Sequence, residues 1–527
     1  MPRTAPRRLP SKRATPRPSR LFMAADPRLE RSGGFATRAI VNLLTAAAVG
    51  ILAVANEVLA ARLLGTESYG LFALAVIFTR AAQIVAQSGL DVAVYRQIPI
   101  DLAGGNGPRA RPTVFTAVAS SAAIGTALAL LLALSAGTIA ESGFGKPELA
   151  TYLRVVAIAV PGLAIVEITA SALRAAGGIW SPAAPLVGAR ACFAAGVALL
   201  MVLAMGGPWV AVAFAVATFL PLVAGILLSA RLLPASDAVL LSRSDTWQML
   251  VGASPMLASA LVYQMILWTD VVVIGWFRPA SEVGIYRACL PFVMLIELVL
   301  LCWNVAAARL YPVYAEQRDR SAIAAHYERS NRIVLFATAP YVAVLIAMPE
   351  LPLRLMGPDF AAGATVIAIL AVGYFIRSGL GSAAFALVFT GHPKAELKAA
   401  LSAAAASVVL NVALVPVAGI LGAAIASATA NTIYAGARIM LLRRHWAIVT
   451  TWRAPAVAGL AVLLGAVSGR MMGDFVGAAS DPLFVSIVTV ATSATCSVLV
   501  VSLLGLQRDD RAAVRRAVAR FRGRNAR

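Results

Sequence analysis

Residues 399–437 read AALSAAAASVVLNVALVPVAGILGAAIASATANTIYAGA, thirty-nine positions without a charged side chain. One continuous helix of that length would measure roughly 60 Å at ~1.5 Å per residue, about twice the ~30 Å hydrocarbon core of a bilayer. The turn PVAGILG at 416–422 divides it into two crossings. A second uncharged run spans 114–140, and the texture recurs along all 527 residues, which are 60% apolar and only 13% charged. Soluble globular chains are about a quarter charged, and the mean hydropathy here is +0.82. A soluble enzyme is excluded, and no sizeable extramembrane domain fits. A transmembrane β-barrel would alternate in segments of about ten residues, unlike these long Ala, Leu and Val runs.

The sequence therefore predicts an all-α polytopic membrane protein. Apolar runs bounded by charge, Pro or Gly place spans at 39–60, 69–90, 113–137, 151–172, 183–205, 210–230, 248–274, 284–307, 333–348, 363–388, 399–416, 418–438, 454–469 and 483–505, fourteen in all. Basic residues orient them. With the N-terminus cytoplasmic, the inside segments hold 34 Lys or Arg and the outside loops five, at Arg62, Lys146, Arg278, Arg354 and Arg470. That asymmetry puts both termini in the cytoplasm.

The net charge of +21 sits mostly in the tails, where residues 1–38 carry +8 and 507–527 carry +6. Neither tail has aromatic interleaving or a folded basic motif. They read as topology determinants attracted to anionic lipid headgroups, not as a nucleic-acid site. The Pro- and Arg-rich start has no apolar core, so it reads as a disordered arm and not as a signal peptide. Cys192, Cys289, Cys302 and Cys496 lie inside apolar runs with no CxxC spacing, as small apolar residues without a disulfide or metal role. The outside loops are about a dozen residues at most, and His326, His392 and His445 fall in cytoplasmic segments, which leaves surface catalysis no platform.

Self-comparison reveals a repeat. The turn ARLLGTESYGLFALA carries Gly70 where GWFRPASEVGIYRACL carries Gly284, an offset of 214. The loops ALRAAGGIWSP and ALVFTGHPKAE place Gly177 and Gly391 at the same offset. Six spans separate equivalent helices, so the halves are parallel: two six-helix bundles, 39–232 and 248–442, joined by a linker at 233–247 around a central cavity. Two further helices at 454–505 and a basic tail at 506–527 lie outside the repeat.

Ionisable groups within spans are costly and usually face a cavity or a partner. Arg80, Glu167, Glu297 and Arg377 fall mid-span, and the repeat brings opposite signs to similar depth on equivalent helices: Arg80 corresponds to Met294, near Glu297, and Arg377 to Leu163, near Glu167. Two readings stand. These residues line a polar cleft, with guanidinium groups for phosphate and carboxylates for a coupling cation or sugar hydroxyls, or they form ion pairs that fix packing. Glu57, Asp270 and Arg190 lie nearer span ends, where snorkelling is the competing reading; Asp270 corresponds to the polar Asn56. Pro161, Pro221, Pro255, Pro291 and Pro340 each remove a helix hydrogen bond and favour bends. Residues 308–332 read either as an amphipathic interfacial segment or as a plain connector.

The stretches at 61–75, SGLDVAVYR at 88–96 and LWTDVVVIGWFRPASEVGIYRAC at 267–289 resemble the Wzx-type oligosaccharide flippases, of the superfamily that includes multidrug and toxic-compound extruders and lipid II flippases. The resemblance spans roughly residues 35–450. It implies a non-enzymatic carrier that moves a polyprenyl-diphosphate-linked oligosaccharide across the cytoplasmic membrane for surface polysaccharide synthesis. A polysaccharide polymerase or export machinery is the implied partner. Asp270 matches the family's acidic position in helix 7, and Gly70 and Gly284 its outer turns. Helix 1 has no internal cation, unlike the lipid II flippases. Two alternatives stay open: an H⁺- or Na⁺-coupled drug or metabolite antiporter, in which Asp270 or Glu297 would take the cation, and a membrane-embedded glycan polymerase or ligase.

Overall fold

A computed structural model describes residues 34–103, 107–177, 181, 183–308, 310–477 and 481–505. The basic tails at 1–33 and 506–527 lie outside the described residues. The chain is helical throughout, with no strand among the described residues: α1 (Gly34–Gln87), α2 (Leu90–Ala103), α3 (Gly107–Thr138), α4 (Leu149–Ala157), α5 (Ala159–Ala175), α6 (Ala183–Val202), α7 (Pro208–Val216), α8 (Phe219–Leu232), α9 (Arg243–Phe277), α10 (Ala280–Ala307), α11 (Leu310–Glu316), α12 (Arg320–Ala347), α13 (Glu350–Arg354), α14 (Ala364–Gly379), α15 (Ser382–Phe389), α16 (Pro393–Trp446), α17 (Arg453–Gly477) and α18 (Pro482–Val500). In lipid every backbone N–H and C=O must be paired within its own segment, which is why these Ala- and Leu-rich runs become helices. The first helix begins at Gly34, five residues inside the stretch assigned to the N-terminal arm.

By length and apolarity, ten helices among the described residues can cross a membrane, or eleven if the bent pair α4 and α5 is one span. Two elements hide a break. The 54-residue helix α1 contains Gly65 at φ 69°, and the 54-residue α16 contains Gly419 at φ 55°. Left-handed backbone is open to glycine at little cost, and each break falls in a turn placed by the sequence, ARLLGTESYG or PVAGILG. Two of the five span prolines also mark breaks. Pro161 follows the 43° bend between α4 and α5, and Pro221 follows the gap between α7 and α8. In both cases the interruption lies at the residues facing the missing N–H. Helices α10 and α12 run through Pro291 and Pro340.

The repeat is visible in atomic contacts. Gly177 (φ 82°) and Gly391 (φ 91°) both follow a helix end in the left-handed region. Their N–H groups donate to equivalent carbonyls, Arg174 O and Val388 O, each at 3.2 Å. Gly70 and Gly284 meet each other. A Cβ built on Gly70 would stand 1.9 Å from Ala280 O, and one on Gly284 would stand 2.0 Å from Thr66 O; Thr66 and Ala280 are themselves 214 apart. Only glycine allows so close an approach of α1 to α10. At the same end Arg62 Nε donates to Leu355 O, Lys146 Nζ donates to Gly275 O, and Tyr69 packs edge-on against Phe360 at 5.8 Å. These contacts tie the two halves together there.

Within 308–332 the chain forms short α11 and the start of α12. These bury Tyr311, Ile323 and Tyr327 against Ala383, Ala386 and Leu387 of α15. Asp319 caps α12, its carboxylate accepting from Ala322 N at 2.9 Å. Helices α17 and α18 pack on each other with glycine against small residues, Gly469 against Ser493 and Gly473 against Thr489.

Candidate functional site

The site is a cavity between the halves with two lobes. The first, about 450 Å³, is lined by Asn56, Glu57 and Arg80 of α1, Glu167 of α5, Arg190 of α6, Gln264 and Trp268 of α9, and Arg287 of α10. The second, about 570 Å³, shares Glu57 and Arg287 and adds Glu297, Arg377, Glu396 and Arg438, with mostly apolar walls.

Charge is distributed unequally. In the second lobe Arg377 Nε pairs with Glu297 Oε1 at 2.8 Å, and its guanidinium lies 5.7 Å from the ring centroids of both Tyr374 and Tyr434. Arg438 grips Glu396 through Nε at 3.0 and 3.1 Å, sits 3.6 Å above the Tyr434 ring, and Tyr434 donates to the same carboxylate at 2.9 Å. On the wall common to both lobes, Arg287 pairs with Glu57 across the halves, and Tyr69 also donates to Glu57. These arginines are neutralised where they stand.

Arg80 and Arg190 are different. Arg80 donates to the side-chain oxygen of Gln83 at 2.8 Å, and Arg190 to the carbonyl of Leu186 at 3.2 Å. Neither forms an ion pair among the described residues, and neither does Glu167. The three lie close enough to influence one another. Two guanidinium groups facing one cavity without a carboxylate on either offer fork-like donors to a phosphate-bearing ligand.

Asp270 stands apart, inside the second half and 4% exposed. Its carboxylate accepts from Tyr286 Oη at 2.7 Å, from Asn411 Nδ2 at 2.7 Å and from Ser407 Oγ at 3.4 Å. No cationic side chain pairs with it among the described residues. The repeat shows here too, because Asn56, its equivalent, donates to Arg190 O at 3.0 Å.

Of the seven residues singled out from sequence, Glu57, Arg80, Glu167 and Arg190 meet in the first lobe and Glu297 and Arg377 in the second, while Asp270 lies in neither. Glu57 and Arg190 line the cavity rather than reaching for an interface. Four residues escaped the sequence reading. Arg287 and Arg438 fall inside or at the end of the spans 284–307 and 418–438 but do not stand out as site residues, because their partners Glu57 and Glu396 are distant in the chain, and Glu396 lies outside every span. Gln83 did give one, three residues after Arg80 on the same helix face.

A family model described as polysaccharide biosynthesis protein matches residues 36–317, more than half of the chain. A sequence search of the curated proteins finds no match. Among solved structures, a lipid II flippase MurJ in an inward closed conformation aligns with a TM-score of 0.70 at 14% identity, over 88% of this chain and 98% of that one. An inward-facing multidrug resistance transporter of the MATE family and MOP superfamily aligns at 0.65 and 14%, over 78% and 98%. A MOP superfamily transporter from Pyrococcus furiosus aligns at 0.57 and 14%, over 79% and 95%.

Proposed function

Because the chain belongs to the polysaccharide biosynthesis protein family, we propose that it is a flippase carrying a polyprenyl-diphosphate-linked oligosaccharide across the cytoplasmic membrane. The observation that carries this reading is the pair Arg80 and Arg190, cations without a carboxylate partner in a cavity between two helical bundles. A diphosphate supplies the missing anion, and each charge-assisted contact to it contributes about 1.5–3 kcal/mol. In this reading the bundles 39–232 and 248–442 are the rocking units, the chain crosses the membrane fourteen times, and both termini face the cytoplasm, as the basic asymmetry of the loops supports. A polysaccharide polymerase would take over the product at the outer face. The flippase name of one structural neighbour and the transporter names of the others agree with carriage rather than chemistry.

The test is the sidedness of lipid-linked glycan in a deletion strain. Units that accumulate but stay inaccessible from outside until the cells are permeabilised, and that complementation releases, support the flippase. Accessible units without polymer favour the polymerase or ligase, and untouched lipid-linked glycans favour the antiporter.

A second reading concerns energy coupling. Asp270, buried without an ion-pair partner among the described residues and accepting from Tyr286, Asn411 and Ser407, is the carboxylate that would take H⁺ or Na⁺. Loss of transport in Asp270→Asn, with protein amount unchanged, supports it; full activity in that variant removes it.

A further inference from the structure

Polar lining continues past the two arginines. A pocket of about 210 Å³ adjoins the first lobe and shares Arg80, Glu167 and Gln264 with it; Gln83, Gln87 and Asp91 complete its polar wall. The chain builds this wall by an abrupt reversal. Gln83 and Gln87 lie one turn apart at the end of α1, Ser88 (φ 50°) and Gly89 (φ 73°) turn the backbone in the left-handed region, and Asp91 opens α2. Gln264 arrives from α9, so both halves contribute.

The side chains of Gln87, Asp91, Glu167 and Gln264 make no hydrogen bond or ion pair among the described residues, Glu167 acting on Arg80 and Arg190 only through space. Glu167 and Gln264 fall inside the spans 151–172 and 248–274, where an unmet polar group is costly unless water or a ligand meets it, and Gln87 and Asp91 continue the wall at the end of the span 69–90. Amides both donate and accept, whereas carboxylates only accept. That mixture suits hydroxyl and N-acetyl groups, which also do both. Arg80 offsets one of the two negative charges of Asp91 and Glu167, which leaves the wall one negative charge in excess and unfavourable to a carboxylate on the sugar. The volume equals that of about seven liquid waters at ~30 Å³ each, room for one sugar ring.

We infer that this pocket holds the first sugar of the lipid-linked glycan, beside the diphosphate at Arg80 and Arg190, and that it selects a ring with free hydroxyl or N-acetyl groups over one bearing a carboxylate. The inference rests on the flippase reading and adds a specificity to it.

The experiment uses purified full-length protein in detergent and three probes: undecaprenyl diphosphate and its glucosyl and glucuronosyl derivatives. Binding is followed by tryptophan fluorescence, Trp268 lying on the cavity wall. The glucosyl probe should bind at least tenfold tighter than bare diphosphate, and the glucuronosyl probe no tighter than bare. Gln87→Leu should abolish the tenfold preference while leaving the bare probe's affinity within about twofold, which also shows that the variant is folded. Asp91→Asn should tighten the glucuronosyl probe several-fold. Equal binding of bare and glucosyl probes by the wild type, or a preference that survives Gln87→Leu, overturns the sugar pocket and leaves the diphosphate reading intact. Should Gln87→Leu lose the bare probe too, Gln87→Ser decides, and an undiminished preference there overturns the pocket. Bare diphosphate that does not bind the wild type, or that binds Arg80→Ala equally well, brings down the flippase reading itself.

Discussion

An arginine inside a membrane with no carboxylate beside it is expensive to keep, whereas one in an ion pair is expensive to disturb. The two kinds respond differently to substitution here. Arg80→Ala or Arg190→Ala removes a cation that makes no ion pair among the described residues, Glu167 acting on both only through space, so the protein should remain in the membrane while transport falls at least tenfold; each contact of ~1.5–3 kcal/mol corresponds to a factor of ten or more. Surface polysaccharide measured beside immunoblotted membrane protein separates the two effects. Arg377→Ala instead strands Glu297, which it meets at 2.8 Å, at a cost of about 3–5 kcal/mol. The amount of protein should drop, and Arg377→Met with Glu297→Gln should restore it. An Arg377→Ala protein that is abundant but inactive would show that Arg377 acts on substrate. The sequence located all four of these charged residues in spans but could not tell paired from unpaired. Pairing depends on side-chain register between helices that lie far apart in the chain, as for Arg377 and Glu297 on α14 and α10.

At the scale of elements, the seam between α1 and α10 is the feature most exposed to test. With a Cβ at Gly70 only 1.9 Å from Ala280 O, Gly70→Ala must part the helices. In a cysteine-free background carrying Ser281→Cys, a membrane-impermeant maleimide applied to intact cells should label the Gly70→Ala protein several times faster than its parent. Unchanged labelling would mean that the seam yields elsewhere. Much at this scale was legible from the sequence. Uncharged runs marked the helices, the offset of 214 their pairing, and Pro161 and Pro221 real breaks. What the sequence could not give was the width of two of its turns. The backbone stays helical on both sides of Gly65 and Gly419, right up to a single left-handed residue, so the expected turns are one residue wide instead of several.

For the whole molecule, the connection between halves is electrostatic as well as steric. Glu57 and Arg287 pair although 230 residues apart, a link that no sequence spacing could reveal. Reversing it should be partly tolerated. Glu57→Arg or Arg287→Glu alone should raise labelling of Ser281→Cys, and the double exchange should bring it back toward the parent; no recovery would indicate that Tyr69, which also donates to Glu57, requires the acid on that side. Lys146 reports on the same closure. Burial lowers its pKa from the usual 10.5, so the contact state holds this proton more weakly than a parted state in which the lysine is solvated. Closure therefore strengthens as pH rises through the interval between the lowered and usual values, and below that interval the penalty on closure is fully present. Labelling rates, normalised to denatured protein, should fall with rising pH in the parent and lose that trend in Lys146→Met.

The mutual contact of Gly70 and Gly284 also speaks to ancestry. Each glycine approaches the carbonyl that is the repeat equivalent of the one its partner approaches, which is the reciprocity of a twofold subunit interface. A single bundle that dimerised in parallel orientation, before its gene doubled, would have met itself at this point with one glycine serving both sides. Any enlargement of that residue would have struck the interface twice in the dimer, whereas in the fused chain it strikes once.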